Sequence, residues 1–240
     1  MKYMGSKNRI AKHILPIMLK DRKEGQYWVE PFVGGANMID KVTGNRIGAD
    51  FNSDLINLLN GLKGGWLPND SYSKDEYILA QKGMNPCKIE TGYIAFNCSY
   101  SGKYWGRFAG KSNTAKGVRD YTNEAYKNIC KQAPNLKGVE FFNVDYKKLT
   151  MPANSIIYCD PPYKGTYSDV EGYGKLSFDH DEFWQWCRDK AKEGHTVFVS
   201  EYNAPEDFEC VWHQEVKSSL SANGASGGSK KSIEKLFTIK

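Results

Sequence analysis

Four consecutive residues, Asp160-Pro161-Pro162-Tyr163, are the densest chemistry in this chain. Asp160 brings a carboxylate. The two prolines after it have no N–H, so the carbonyls of Asp160 and Pro161 stand as acceptors with no local donor. Tyr163 adds an aromatic face. Such a cluster suits an amino group conjugated to a ring, whose lone pair is delocalised and weakly nucleophilic. Two acceptors taking its hydrogens drive the nitrogen toward tetrahedral geometry and aim the lone pair at an electrophile, while fixed dipoles stabilise the charge that develops. Read only as a turn, the same residues would close a strand and do nothing else. Average residue frequencies place this tetrapeptide in about one chain in a thousand of this length.

The elements that must position these residues are legible from pattern. Ile156-Ile157-Tyr158-Cys159 is a short apolar run, expected to be a parallel-sheet strand covered on both faces and ending at Asp160. Open α/β sheets bind ligands at such carboxyl ends. Further strands are expected at about 27–32, 46–49, 139–144 and 196–200, alternating with helical patterns. Helices are expected from Asn37 to Val42, Asn52 to Gly61, Tyr121 to Ala133 and Asp179 to Lys192. Near the start, Ile10, Ile14, Ile17 and Met18 recur on one helical face behind Ser6, a candidate N-cap. Val211–Val216 and Lys235–Ile239 are expected to pair as an antiparallel edge hairpin across the polar linker Ser218–Ser232. Together these give a Rossmann-like α/β sheet. Gly34-Gly35 between a strand and a helix would let a ligand approach the backbone, and Asp50 at the next strand end is placed to bind a ribose diol.

From Thr91 to Arg119 there are no acidic residues. Five basic ones (Lys103, Arg107, Lys111, Lys116, Arg119) are interleaved with six aromatics and five glycines. A hairpin-like loop of this composition suits entry into a nucleic-acid groove.

Asp160-Pro161-Pro162-Tyr163 resembles the catalytic motif of amino-directed DNA methyltransferases, specifically the adenine-N6 enzymes of the Dam type. Other stretches are similar to that family in the same order. Tyr3, Gly5, Ser6 and Lys7 match its opening aromatic-x-Gly-(Gly/Ser)-Lys element. Glu30-Pro31-Phe32-Val33-Gly34-Gly35 with Asp50-Phe51-Asn52 is similar to its S-adenosylmethionine pocket, although Ala36 stands where the family often has glycine. The resemblance implies that Asp145, with Tyr146, contacts the adenine ring of the donor. Phe96-Asn97, Gly102-Lys103 and Arg107-Phe108-Ala109-Gly110 look like its target-recognition hairpin. Asn97, Lys103, Tyr104, Arg107, Lys111 and Arg119 are accordingly the candidate DNA contacts. Ser200-x-Tyr202 would help form the base pocket, and Lys164-Gly165-Thr166-Tyr167 would close over an extruded base. Tyr163 and Phe32 are candidates to face the cationic methyl.

The implied reaction is methyl transfer from S-adenosylmethionine to adenine N6 in duplex DNA, with the base flipped out and no metal required. The implied organisation is a catalytic domain at 1–60 and 139–240, with an inserted recognition lobe at 61–138. A restriction endonuclease is a possible partner. The rival readings are amino methylation of cytosine N4, an RNA base or a protein amide, and a catalytically silent DNA-binding relative.

Composition constrains these readings only broadly. A net charge of +5 permits a polyanionic partner without requiring one. The cysteines at 87, 98, 130, 159, 187 and 210 show no metal-ligand spacing, and with no signal-like N-terminus or membrane-length apolar run they read as reduced thiols of a cytoplasmic protein.

Overall fold

The computed structural model describes residues 1–115, 117–165, 178–217 and 231–240. Along the chain run α1 (Ala11–Met18), β1 (Trp28–Glu30), β2 (Arg46–Asp50), α2 (Ser53–Lys63), α3 (Lys74–Gln81), α4 (Lys88–Asn97), β3 (Lys111–Thr114) and β4 (Gly117–Asp120). After them come α5 (Tyr121–Gln132), β5 (Val139–Asn143), β6 (Ile156–Cys159), α6 (His180–Lys192), β7 (Thr196–Glu201), β8 (Phe208–Lys217) and β9 (Lys231–Ile239). The chain forms two compact units, Met1–Leu15 with Pro31–Thr150, and Pro16–Glu30 with Met151–Lys240.

In the first unit β2 and β5 pair in parallel from Arg46↔Val139 to Asp50↔Asn143. The helix after β2 starts where its sequence dictates. The Asn52 side chain accepts from Leu55 N at 3.0 Å, and Leu55, Ile56, Leu58, Leu59 and Leu62 are buried on the inner face. Helix α3 opens with a capping box between Ser73 and Glu76, and α5 is capped by Asp120 and followed by Pro134 in a 3-10 turn.

Two expectations in this unit need correction. The segment expected as a helix from Asn37 to Val42 makes only a 3-10 turn, Ile39–Lys41. Lys41 N and Val42 N donate three residues back, to Met38 and Ile39, while the carbonyls of Gly35 and Ala36 accept from Gln132 Nε2 (both 3.0 Å) and that of Asn37 from Lys41 Nζ, so the i+4 ladder does not extend. The glycine-rich loop expected from Thr91 is helix α4 as far as Asn97, because Tyr93, Ile94, Ala95 and Phe96 are all buried and Tyr93 packs against Trp66 and Tyr72. Burial outweighs local composition there. Beyond α4, Ser99 and Phe108 make an antiparallel bridge, with Tyr100 N donating to the Arg107 carbonyl at 2.7 Å and Ala109 N to that of Cys98 at 2.8 Å, and β3 and β4 form a hairpin paired from Lys111↔Asp120 to Thr114↔Gly117 with almost every residue exposed.

In the second unit the strand order is β1-β6-β7-β9-β8. β1, β6 and β7 are parallel, and all four residues of β6 are buried, as a doubly covered strand requires. β9 runs antiparallel to β7 and β8 antiparallel to β9, from Phe208↔Ile239 to Lys217↔Lys231 with a register shift between Cys210 and Trp212. The hairpin is therefore longer than its apolar pattern indicated, and Lys231 and Ser232, expected in the linker, belong to β9. Lys116, Thr166, Tyr167 and the linker residues 218–230, including Lys230, lie outside the described residues. Phe183, Trp184 and Cys187 of α6 are buried, as expected.

Candidate functional site: a strand-end acceptor motif and a carboxylate-centred turn

The acceptor motif lies in the second unit. β6 stops at Cys159, and Asp160-Pro161-Pro162-Tyr163 leaves the sheet beside the carboxyl end of β7. Pro161 and Tyr163 are buried and Asp160 is half-buried. The Tyr163 ring meets Tyr202 edge to face, with centroids 4.7 Å apart at 84°, and its hydroxyl donates to Glu234 Oε2 at 2.9 Å. Behind it Tyr158 and Ser200 share a hydrogen bond of 2.8 Å between their hydroxyls. Glu201 is 3% exposed. Its two carboxylate oxygens accept from Lys164 N (3.1 Å) and Tyr202 N (2.7 Å), and burial pushes its pKa up. Thus Ser200 and Tyr202 stand where the sequence placed them. Glu201 and Glu234 went unassigned in the sequence. Glu201 is visible there as the strand-end acid between them, whereas nothing before the β7–β9 register points to Glu234. Glu30 closes β1, where the period of two puts it on the face of Trp28 and its carboxylate accepts from Trp28 Nε1 at 2.7 Å.

The remaining donor-pocket candidates lie in the first unit around Asp50. This carboxylate is 7% exposed and accepts from Gly34 N (3.1 Å) and Asn52 N (3.0 Å). Burial raises its pKa from 3.8 to about 6, with the amide hydrogen bonds pulling the other way. Asn143, across the sheet from Asp50, donates through Nδ2 to the carbonyls of Asp50 (3.0 Å) and Phe51 (2.9 Å), a clamp the sequence did not single out. Phe51 is 60% exposed. Asp145 caps the turn after β5 by accepting from Lys147 N at 2.8 Å, and Tyr146 packs on Phe32 with centroids 5.0 Å apart. Two oxygens with lone pairs to spare, an exposed aromatic beside them and a half-buried Asp145 fit a ribose diol and an aminopurine, so the residues suit S-adenosylmethionine.

Gly34-Gly35 is packed against the opening segment of the chain. A Cβ on Gly35 would lie 2.6 Å from both the Cβ of Tyr3 and Asn37 Nδ2, and one on Gly34 would lie 2.8 Å from the Tyr3 ring, so only glycine fits against Tyr3 at these positions. Ala36 adopts φ +53, a region where glycine is unstrained and alanine is not. Tyr3 also stacks on Phe96 at 5.6 Å. Ser6 caps the turn after it by accepting from Asn8 N, and buried Lys7 donates to the carbonyl of Gly5, whose φ is +82.

The candidate DNA contacts separate into two groups. Asn97 is fully buried, and its Oδ1 accepts from Lys2 N at 3.2 Å, so it fastens the N-terminal segment and has no surface to offer DNA. That corrects its assignment. The other five reach the surface: Arg107, Lys111 and Arg119 are exposed, Lys103 is half-buried, and Tyr104 is 39% exposed with its hydroxyl donating to Asp54. Lys111 lies 3.7 Å from Asp120, and Arg119 makes a two-pronged contact with Glu124 at 2.6 and 2.8 Å.

Tyr3 also touches this segment through Gly102, which has φ +70 and accepts from Met4 N. A Cβ on Gly102 would lie 2.6 Å from Tyr3 N and 2.7 Å from the Lys2 carbonyl carbon. Gly102→Ala is therefore expected to destabilise the fold by about 1–3 kcal/mol and to weaken donor binding with it. Calorimetric melting and donor titration check this, and an unchanged melting temperature would show that the contact gives way freely.

Among the described residues no cluster of His, Cys, Asp and Glu could hold a metal ion, and no helix is long and apolar enough to cross a membrane. A family profile described as D12 class N6 adenine-specific DNA methyltransferase matches residues 3–210. The type II methyltransferase M.MjaIII of Methanocaldococcus jannaschii is 27% identical over 220 residues, covering 76% of this chain and 75% of that protein. The retron Ec67 DNA adenine methylase of Escherichia coli is 25% identical over 266 residues, covering 100% of this chain and 90% of that one. Among solved structures, a putative class I S-adenosylmethionine-dependent methyltransferase from Listeria monocytogenes matches 97% of this chain and 58% of its own, at 10% identity and a TM-score of 0.41. With the profile spanning the opening motif, the Asp50 turn and Asp-Pro-Pro-Tyr, the chain belongs to the D12 class of N6 adenine-specific DNA methyltransferases, which methylate the adenine amino group in DNA from S-adenosylmethionine.

Proposed function

We propose that Asp50, Phe51 and Asp145 hold the methyl donor and that Asp160 to Tyr163 hold the adenine. The observation that carries this reading is the strand-end motif, with buried Tyr163 packed against Tyr202 and half-buried Asp160 ahead of it in a chain of this family. S-adenosylmethionine supplies a methyl group on a sulfonium. The chain's own residues do the rest. The Asp160 carboxylate and the Pro161 carbonyl accept the two N6 hydrogens and leave the nitrogen lone pair to attack the methyl carbon; the N–C bond would form as the S–C bond breaks, the donor leaving as a thioether, and a proton is then lost from the methylated nitrogen. The Asp160 carboxylate, already holding one N6 hydrogen in this reading, is the acceptor for it. Tyr163 stacks on the purine. A base in a duplex cannot reach a buried motif while stacked, so the reading includes base extrusion.

Pro31, Phe32, Gly34, Gly35, Asn52, Tyr146 and the Tyr3-to-Lys7 turn support the donor side in this reading, Glu30 the strand end before it. Lys103, Tyr104, Arg107, Lys111 and Arg119 supply the DNA-facing surface. Cytoplasmic location follows the substrate, and a partner restriction endonuclease is an extension suggested by the type II methyltransferase among the relatives. The deciding experiment is transfer of a tritiated methyl group into duplex DNA followed by nucleoside analysis. Label in N6-methyladenine is expected; label confined to cytosine, RNA or protein would overturn the reading.

DNA affinity should be salt-dependent in proportion to the phosphates neutralised. Removing Lys103, Arg107 and Lys111 together is expected to lower the slope of log affinity against log salt by about 0.9 for each phosphate lost. Fluorescence titration of a labelled duplex between low and moderate salt measures it. An unchanged slope would move the DNA-facing surface elsewhere.

A further inference from the structure

We propose that Glu234, on the C-terminal strand β9, is a positioning residue for methyl transfer, holding the ring of Tyr163 through its phenol. Glu234 lies beyond residues 3–210, where the family profile matches, and its place in the fold comes from the hairpin alone. β9 enters the sheet beside β7 with Lys235 opposite Glu201. Neighbouring residues of a strand face opposite ways, so Lys235 and Glu234 part: Lys235 Nζ reaches Asn203 at 3.5 Å, and the Glu234 carboxylate accepts the Tyr163 hydroxyl at 2.9 Å.

Three restraints then act on one aromatic residue. The far end of Tyr163 is held by Glu234, and its ring meets Tyr202 edge to face at 4.7 Å. The amide that follows it, Lys164 N, is held by Glu201, which also takes Tyr202 N. Two side-chain torsions set the plane of a tyrosine ring, and of these restraints the hydrogen bond from the phenol to the Glu234 carboxylate is the one that fixes the far end of the ring. The plane of the ring in turn sets where an adenine stacked on it presents its amino nitrogen. Misplacement of a reacting atom by an ångström lowers a transfer rate steeply while leaving binding almost untouched.

This inference rests on the reading of Tyr163 as the surface on which the adenine stacks. It is tested with the full chain by single-turnover methyl transfer at saturating adenine-containing duplex, together with donor affinity by calorimetry and the KM for DNA. Glu234→Ala is expected to slow transfer about tenfold with donor affinity and KM changed by less than about twofold. Glu234→Gln keeps an acceptor and should recover to within about threefold of the parent. Tyr163→Phe should slow transfer as Glu234→Ala does, and the double variant should be no slower than either, because both remove one interaction. Parental rates in Glu234→Ala, or a double variant slower by the product of the two single effects, would overturn the proposal. Should Glu234→Ala fail to fold, a parental rate in Tyr163→Phe has the same force. Tyr163→Ala separates the two levels. If it transfers at the parental rate, the stacking reading falls and this inference with it. If it is slow while Glu234→Ala is parental, only the role of Glu234 falls.

Discussion

Asp160→Ala is expected to lose about 10²–10³ in single-turnover methyl transfer while binding S-adenosylmethionine with near-parental affinity. The carboxylate is proposed to accept a hydrogen of the adenine amino group, an interaction that strengthens as positive charge develops on the nitrogen. Its loss therefore falls on the transition state and not on the donor, whose proposed ligands Asp50 and Asp145 belong to the other compact unit. Asp160→Asn keeps one acceptor oxygen but no charge, and a trace of activity is expected from it. Rapid-quench measurement with donor preloaded and duplex DNA saturating reports the chemical step. A parental rate in Asp160→Ala would make the amino-activation mechanism wrong, whatever the family.

Asp50→Ala is expected to weaken donor binding roughly 10²-fold, since hydrogen bonds to a charged group are worth about 1.5–3 kcal/mol each and the Gly34 and Asn52 amides lose their acceptor as well. The parent protein should show a pH signature that identifies the group. Burial raises the Asp50 pKa from 3.8 to about 6. Between those values the folded chain holds a proton that the unfolded chain has released, so this group's contribution to stability is greatest below 3.8 and is lost as pH rises through 6. The span corresponds to about 3 kcal/mol. Donor affinity should move the opposite way, because a ribose diol donates to the ionised carboxylate. Affinity should rise up to about tenfold per pH unit below 6 and level off above it. Asp50→Asn should abolish both trends. Calorimetric titration from pH 5 to 8 would detach Asp50 from the donor site if the parent's affinity were flat across the range.

Much of the site was legible because its pieces are local. A strand ending in Asp-Pro-Pro-Tyr stops at the prolines in any fold, as β6 does after Cys159, and Asn52 caps α2 through a bond three residues long. The parallel strands were legible for a similar reason, as their apolar runs are short and bounded by turn residues. The misreadings lie where distant contacts overrule local composition. Phe96-Asn97 looked like part of an exposed recognition loop, yet Phe96 lies between Tyr3 and Tyr104 and Asn97 holds the Lys2 amide. The side chain packed against Gly34-Gly35 likewise comes from residue 3, a contact no local pattern indicates.

The amino-acid sequence by itself determined the chemistry on offer, the alternation of strands and helices, and the strand ends at which Asp50, Asp145 and Asp160 sit, because each depends on neighbours a few residues away. Tertiary structure alone decided which carboxylates are occupied and by what. Asp50 is committed to two amides and held near a pKa of 6 by burial, Glu201 gathers the chain after Tyr163, and Glu234 reaches Tyr163 from 71 residues away. Burial and strand register are properties of packed elements, and no spacing along the chain encodes the direction in which a β9 side chain meets the end of β6.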